Sequence, residues 1–201
     1  MDVLLEGGTR WCISGPPQCG KTSILFDIAV QMAAHHGNRV CFITQKQIQE
    51  LPVLTNRAPP ITNSILTNIE LQYFNTAEQL TTWCSGVHLQ PSPHPTLVIV
   101  DNYDQYFNSK DTAMMAQLCA LLVDATHYIS GTMKEASCTC VVSVDSQDNQ
   151  NTNKMSLLQR WFPNTLHVSS SDQQDCYKIM SSSRTLLYKP TPTSIQILPS
   201  K

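Results

Sequence analysis

The sequence predicts an α/β fold in which helices flank a mostly parallel sheet. In the first three quarters of the chain, short apolar runs alternate with stretches of helical periodicity, which is typical of such folds. The apolar runs have no polar alternation, as expected for parallel strands that are buried on both faces. After residue 165, helical periodicity gives way to alternating polar and β-branched residues, which predicts antiparallel strands added at the C-terminal end.

The first two strands surround a helix. Arg10–Ser14 predicts a short buried strand, and Lys21–His36 repeats apolar residues at helical spacing. Gly37 and Asn38 form a stop signal for that helix. Val40–Thr44 predicts the next buried strand.

A loop, a half-exposed strand and a helix follow. Leu51–Thr67 is rich in Pro, Thr and Asn and predicts a loop without regular structure. Ile69–Phe74 alternates apolar and polar residues, so we expect a half-exposed strand at an edge of the sheet. Thr76 is a candidate N-cap for a helix that reaches about Gly86.

Two further buried strands are predicted at Thr96–Asp101 and Cys138–Val144, separated by a long helix over Asp111–Ile129. A short helix over Met155–Phe162 follows a polar loop. The tail, Thr165–Leu198, predicts three or four antiparallel strands.

The organisation of the chain predicts one domain over residues 1–201. We expect its core at about residues 8–170 and a C-terminal β extension at about 171–201. No internal repeat or long linker interrupts the sequence.

The composition limits the function classes. Apolar residues make up 41% of the 201 residues, charged residues make up 14%, and the formal net charge is −2. Extended disorder needs low hydrophobicity and a high net charge, so the composition excludes it. The charge balance also excludes a strongly basic arm, so any contact with nucleic acid must come from a local patch.

The eight cysteines predict neither a disulfide framework nor a zinc site. Most lie in apolar or strand-like runs, and no pair has Cys-x-x-Cys spacing. We expect buried, reduced thiols, which suit a reducing compartment. Met1–Trp11 lacks the pattern of a secretory signal, and no apolar run approaches the ~18 residues of a membrane span, so we expect an intracellular protein with no membrane contact.

Gly15–Thr22 has the pattern G-x-x-x-x-G-K-[ST] of a phosphate-binding loop, between a predicted strand and a predicted helix. The two glycines let the backbone turn its N–H groups toward phosphate oxygens, and the helix adds its positive end. Lys21 is expected to bridge the β- and γ-phosphates. The candidate nucleotide-binding residues are Gly15, Pro16, Pro17, Gln18, Cys19, Gly20, Lys21 and Thr22.

Asp101 is the predicted partner of this phosphate loop. A carboxylate that ends a buried parallel strand lies on the ligand edge of the sheet, where it and the Thr22 hydroxyl can serve Mg²⁺. Asp104 is a weaker candidate, which we expect to be a solvated loop residue. Gln147 follows another strand on the same edge. From the residues alone, it is either a side chain that contacts the γ-phosphate or an ordinary polar loop residue.

Several segments resemble a known family. The phosphate loop, Phe42–Thr44, Leu97–Asp101 and the strand that runs into Gln147 follow the order of RecA-type ATPases. Three shorter segments resemble the SWIM-domain-associated ATPases, small RecA-type recombinase paralogues of the vertebrate Shu complex: Ile69–Phe74, Leu121–Asp124 and Leu157–Pro163. The resemblance covers about residues 8–170.

This resemblance implies a RecA-like P-loop NTPase core, the use of ATP and Mg²⁺, and a role in homologous recombination in the nucleus. It implies a SWIM zinc-finger protein as partner in a hetero-oligomer, binding of single-stranded DNA, and support of RecA-type recombinase filaments. Lys21 and Gln147 take the catalytic roles, Gln147 as γ-phosphate sensor. Lys154 and Arg160 are the candidates for DNA contacts, although residues six apart share no tight helical face.

One departure from the family pattern predicts slow hydrolysis. RecA-type recombinases carry a glutamate that orients the attacking water just after the second strand, and here Lys46 falls at that place. A charged lysine cannot accept a proton from water, and the next acid, Glu50, is a helical turn further on. The net charge of −2 is also unfavourable for tight DNA binding by the chain alone, so we expect DNA affinity to depend on the partner.

Two alternatives remain open from the sequence. A P-loop small-molecule kinase would need an arginine-bearing lid, but the five arginines are scattered along the chain. A non-catalytic scaffold that retains nucleotide for stability fits the same phosphate loop. For either a scaffold or a recombination subunit, Asn68–Phe74 is a candidate edge for pairing with a partner strand.

Overall fold

The structure is a computed structural model that describes residues 5, 8–35, 38–107, 111–133, 137–146, 152–181 and 184–198, with the side chains of 152 and 153 left out. Nine strands are found in this part of the chain: β1 (Arg10–Gly15), β2 (Val40–Thr44), β3 (Ile69–Tyr73), β4 (Leu97–Val100), β5 (Thr139–Asp145), β6 (Asn164–Ser170), β7 (Tyr177–Met180), β8 (Thr185–Pro190) and β9 (Ile195–Leu198). The helices are α1 (Lys21–Ala33), α2 (Asn63–Leu66), α3 (Ala77–Gly86), α4 (Thr112–Thr132) and α5 (Thr152–Trp161), with 3₁₀ turns at Val87–Leu89 and Tyr103–Tyr106.

The strands form one sheet in the order β3-β2-β4-β5-β1-β6-β7-β8-β9. Strands β1 to β6 pair with one another in parallel, whereas the β6–β7, β7–β8 and β8–β9 pairs are antiparallel. The predicted fold class is therefore confirmed. In the register of the central pair, Gly15 lies opposite Asp145, so the carboxyl ends of β1 and β5 meet at one edge of the sheet.

Strand β6 differs from the prediction for the tail. It pairs with β1 in parallel, with Trp11 opposite Asn164, whereas the sequence predicted only antiparallel strands after residue 165. The physical reason is the crossover through α5, which carries the chain back to the starting end of the sheet before β6 begins. The antiparallel extension thus consists of β7, β8 and β9.

The helices also differ from the prediction: α4 (Thr112–Thr132) ends later than predicted and α5 (Thr152–Trp161) begins earlier. Helix α1 ends at Ala33 with Ala34 as its C-cap, before the predicted end at His36, which is outside the described residues. The predicted loop Leu51–Thr67 contains the single-turn helix α2, because the Thr62 side chain accepts a hydrogen bond from the Ile65 N–H and caps it. Thr76 caps α3 as predicted.

The sheet has a hydrophobic core on each face. Alternate residues of β4 enter opposite cores: Val98 and Val100 pack with α3, α4 and α5, while Ile99 packs with α1. All eight cysteines are free and buried, so the predicted burial is confirmed. Strand β3 forms one edge of the sheet, as predicted. Among the described helices, none combines the length and apolar character that crossing a bilayer would require.

Candidate nucleotide-binding site

The phosphate loop joins β1 to α1 at the carboxyl edge of the sheet. Gln18 and Gly20 have φ angles of 61° and 91°, in the left-handed region, so the loop turns sharply before the helix. A Cβ on Gly15 would lie 2.6 Å from the Cβ of Val168 in β6, so only glycine fits between the two strands. The loop is therefore pressed against β6 on one side.

The amino-terminal end of α1 is open toward the loop. Gly20 is the N-cap, and no side chain caps the helix. The first N–H groups of a helix have no partner within it, and with the helix dipole they favour an anion. This end of α1 thus has the electrostatics of a phosphate site.

The Lys21 side chain folds back over its own loop. Its Nζ donates to the carbonyl oxygens of Gly15 (3.1 Å) and Pro16 (2.8 Å) and lies 2.7 Å from Oδ1 of Asp145. The Lys21 side chain is 4% exposed and that of Asp145 is 30% exposed. The ammonium group is therefore neutralised by a carboxylate at the end of β5.

The sequence did not assign a role to Asp145. The signal was available in part, because a carboxylate ends a buried strand here as it does at Asp101. Its position opposite Gly15 depends on the β1–β5 register, which the sequence does not give.

Thr22 and Asp101 are in direct contact, as expected for residues that serve one metal ion. The Thr22 hydroxyl donates to Oδ2 of Asp101 at 2.7 Å, and the Ser143 hydroxyl donates to Oδ1 at 2.6 Å. Asp101 is 1% exposed. Burial raises the pKa of Asp101 above its usual range, while the hydrogen bonds from Ser143 and Thr22 act in the opposite direction. A hydroxyl and a carboxylate are hard oxygen donors, so this pair fits Mg²⁺.

Asp104 is not the solvated residue that the sequence predicted. The 3₁₀ turn at Tyr103–Tyr106 brings its carboxylate back to the sheet, where Oδ1 accepts a hydrogen bond from the Asp145 N–H at 3.3 Å. Burial raises the pKa of Asp104, and the positive charge of Lys154 partly offsets this. Three carboxylates therefore lie at this edge of the sheet, those of Asp101, Asp104 and Asp145.

The remaining candidate residues are dispersed. Gln147 lies outside the described residues. Lys46 is exposed in a bend just after β2. Lys154 and Arg160 both belong to α5, where Lys154 is half-buried on the side of Asp104 and Arg160 is exposed.

The C-terminal extension also reaches the phosphate loop, which nothing in the sequence indicated. The Tyr188 hydroxyl in β8 donates to the Cys19 carbonyl oxygen inside the loop. Ile195 in β9 comes within 4.0 Å of the place where a Cβ on Gly20 would stand. Residues near the end of the described chain thus support a loop near its beginning.

A separate groove of about 700 Å³ lies at the opposite end of the sheet, lined in part by Arg39, Asn68 and Pro93. These residues precede β2, β3 and β4, so the groove faces the amino ends of the strands. In parallel α/β sheets ligands bind at the carboxyl ends. The phosphate loop, rather than this groove, is therefore the candidate nucleotide site.

The strand order, the phosphate loop after β1 and the carboxylate after β4 define a RecA-like fold. A solved RadB recombinase structure matches 98% of this chain and 96% of its own chain, with a TM-score of 0.65 and 13% identity. A solved DnaB-like replicative helicase matches 96% of this chain and 59% of its own, with a TM-score of 0.63 and 10% identity. At these identities the similarity establishes the fold alone.

Sequence relatives are more specific. The chain is 29% identical over 160 residues to a mouse protein named ATPase SWSAP1, and 29% identical over 161 residues to the human protein of that name. The predicted resemblance to the SWIM-domain-associated ATPases is thereby confirmed. The matched segment is 78% of this chain, 57% of the mouse protein and 69% of the human protein. No family model matches the chain.

Proposed function

We propose that the chain is a nucleotide-binding subunit that binds ATP with Mg²⁺, hydrolyses it slowly and acts in homologous recombination. The observation that carries this proposal is the 2.7 Å contact between Thr22 and Asp101, beside the buried ammonium group of Lys21. A phosphate loop, a lysine and a metal-binding pair at one edge of a RecA-like sheet are the parts that phosphoryl transfer requires.

In this proposal, each part of the site has a separate task. The backbone N–H groups of the phosphate loop and of α1 bind the phosphates, and Lys21 leaves Asp145 to contact the β- and γ-phosphates. Thr22 and Asp101 would hold Mg²⁺, which when bound neutralises charge on the phosphate oxygens. Gln147 is proposed as the γ-phosphate sensor.

Slow hydrolysis is proposed because the chain lacks an efficient base at the expected place. Lys46 and Glu50 are both exposed after β2, and a charged lysine cannot take a proton from the attacking water. We expect a turnover below about 1 per second for the isolated chain, the lower end of ordinary enzymes. A turnover well above that value would contradict the proposed role of Lys46.

The proposed partners are a SWIM zinc-finger protein, a RecA-type recombinase and single-stranded DNA, in a nuclear hetero-oligomer. The relatives named ATPase SWSAP1 support this setting. The exposed edge strand β3 offers a place for a partner strand, and Lys154 and Arg160 on α5 are the proposed DNA contacts. With a net charge of −2, the chain is expected to bind DNA tightly only with its partner.

The test of nucleotide binding is Lys21→Ala, measured by titration with ATP and Mg²⁺ in a calorimeter. Loss of the charge-assisted hydrogen bonds is expected to weaken binding about 10- to 100-fold. The matched control is Lys178→Ala, since Lys178 also pairs with an aspartate, Asp172, but on the surface. Equal affinities of wild type and Lys21→Ala would contradict the proposal.

The scaffold alternative has one observation in its favour. Because Asp145 neutralises Lys21, the charge buried at the phosphate loop is paired within the chain itself, so the loop does not need nucleotide in order to fold. Two assays of Lys21→Ala separate the two functions: capture of partners from nuclear extract, identified by mass spectrometry, and support of recombinase filaments. In a scaffold, Lys21→Ala retains its partners and its support of recombinase filaments, whereas in the proposed function filament support is lost.

A further inference from the structure

The antiparallel extension holds the phosphate loop by a buried hydrogen bond. Tyr188 is 1% exposed, and its hydroxyl donates to the carbonyl oxygen of Cys19. The ring is fixed by stacking on Tyr177 of the neighbouring strand, with centroids 5.6 Å apart and planes 24° apart. Tyr188 thus has a fixed ring, and its hydroxyl contacts the peptide group between Cys19 and Gly20 in the phosphate loop.

That peptide group includes the N–H of Gly20. In a trans peptide the C=O and the following N–H point in opposite directions, so fixing the Cys19 carbonyl on Tyr188 also fixes the Gly20 N–H on the other side. Within the described residues, the Gly20 N–H has no hydrogen-bond acceptor. An N–H group without a partner inside the protein is available for a ligand oxygen.

We propose that Tyr188 is a positioning residue that orients the Gly20 N–H for phosphate before the nucleotide arrives. This inference rests on the proposed nucleotide-binding function. A preset donor needs no reorganisation when phosphate binds, so more of the interaction free energy appears as affinity. Tyr188 itself touches no phosphate in this role.

A second connection keeps the extension in place. Ile195 packs beside Gly20. Its backbone is hydrogen-bonded to the segment before α2: the Ile195 N–H donates to the Leu54 carbonyl oxygen (2.8 Å), and the Ile195 carbonyl oxygen accepts from the Asn56 N–H (2.9 Å). Between them, the Thr55 N–H and hydroxyl each donate to Asp27 of α1 at 3.0 Å. The extension is therefore tied both to the phosphate loop and to the helix that follows it.

The hydrogen bond does not depend on pH in the working range. Burial raises the pKa of Tyr188 far above its usual range, so the hydroxyl keeps its proton and remains a donor. The positioning role is therefore expected to be the same across the neutral pH range.

The test is Tyr188→Phe, which removes one hydroxyl and keeps the ring. Affinities for ATP with Mg²⁺ and for inorganic tripolyphosphate are measured by calorimetry. We expect both to fall about tenfold, because a Gly20 N–H that is no longer held in place must be ordered when phosphate binds, and because the effect lies at the phosphates. The matched control is Tyr177→Phe, which also removes one hydroxyl from the stacked pair and is expected to leave both affinities unchanged.

A second measurement uses the wild-type chain alone. Residual dipolar couplings from NMR report the orientation of the Gly20 N–H, which is expected to be the same before and after tripolyphosphate is added. Reorientation of that N–H on binding, or equal affinities for wild type and Tyr188→Phe, would overturn the positioning role and leave the proposed function standing. A wild-type chain that binds neither ATP nor tripolyphosphate would overturn the proposed function, and this inference with it.

Discussion

The parallel and antiparallel parts of the sheet differ in burial and in their contribution to the site. All of β4 is buried, whereas β8 is mostly half-buried, with one residue exposed and one fully buried. The parallel part supplies the groups expected to contact the nucleotide, and the antiparallel part supplies Tyr188 and Ile195 behind the phosphate loop. The comparison teaches that global stability and the shape of the loop can depend on different regions of one sheet.

The largest effect is expected from truncating one isoleucine in each region. Ile99→Ala removes a side chain that is 0% exposed between the sheet and α1 and is expected to lower the free energy of unfolding by about 4 kcal/mol. Ile195→Ala, near the sheet edge, is expected to lower it by about 2 kcal/mol. For nucleotide affinity we expect the reverse order, with about a fivefold loss only for Ile195→Ala. Urea denaturation and calorimetric titration with ATP measure the two quantities.

If Ile99→Ala weakens nucleotide binding as much as Ile195→Ala does, the two regions do not have separate roles. If neither variant changes the affinity, the packing of β9 against Gly20 has no influence on the loop.

The contact between the phosphate loop and β6 is tested by Gly15→Ala. Its new Cβ would lie 2.6 Å from the Cβ and 3.1 Å from the backbone oxygen of Val168, so the strands must separate, at a cost of about 3 kcal/mol. Nucleotide binding is expected to be lost with the loop geometry. Gly131→Ala is the control: a Cβ there meets nothing within 4 Å, and we expect up to about 1 kcal/mol of stabilisation of α4. The melting temperatures of both variants are measured by thermal unfolding. Equal melting temperatures would show that β6 can move away from Gly15 at little cost in stability.

Asp145→Asn is expected to have smaller effects, which lower the stability of the chain but raise its affinity for nucleotide. The unliganded chain should lose about 1 to 2 kcal/mol, less than for a fully buried pair, because the Asp145 side chain is 30% exposed. Affinity for ATP with Mg²⁺ should rise about tenfold, since phosphate no longer competes with a carboxylate for Lys21. Asp172→Asn, which breaks the surface pair with Lys178, should change neither quantity. An unchanged or lower affinity of Asp145→Asn would show that Asp145 does not compete with the phosphates.

The smallest effect is a pH dependence at Asp101. Its pKa is raised above 3.8 by burial, so above that pH the unfolded chain releases a proton that the folded chain retains. Folding then binds a proton, and the stability of the unliganded chain falls as pH rises from about 4 toward the folded pKa. Relative to Asp101→Asn, the slope should be negative and below about 1.4 kcal/mol per pH unit. The unfolding free energy of each protein is measured by urea denaturation between about pH 4 and pH 7. If it changes with pH in the same way for wild type and Asp101→Asn, Asp101 is ionised in both the folded and the unfolded state.

The parts of the site that the sequence predicted share one property: each has a local signal. Lys21 belongs to a continuous motif, and Asp101 ends a wholly apolar run, so both could be placed at the carboxyl edge of a parallel sheet. Their proximity followed from the fold class. The Thr22–Asp101 contact therefore needed no knowledge of side-chain packing.

The parts that the sequence missed depend on contacts between distant segments. The pairing of Lys21 with Asp145 needs the register of β1 against β5, and the Tyr188 hydrogen bond joins residues 169 positions apart. Strand β6 was also mistaken for an antiparallel strand, because its alternating burial resembles that of an edge strand although it lies between β1 and β7. Alternation reports exposure, and exposure does not give strand direction.

The long separation between Tyr188 and Cys19 has a consequence for biosynthesis. The parallel strands next to the phosphate loop, and the loop itself, are translated before β8, and domains generally begin to fold from their N-terminal side as they are made. Until Tyr188 leaves the ribosome, a nascent chain has the phosphate-binding motif but lacks its support. In the proposed role of Tyr188, full affinity for nucleotide is therefore acquired only after β8 has been translated and has packed against the phosphate loop.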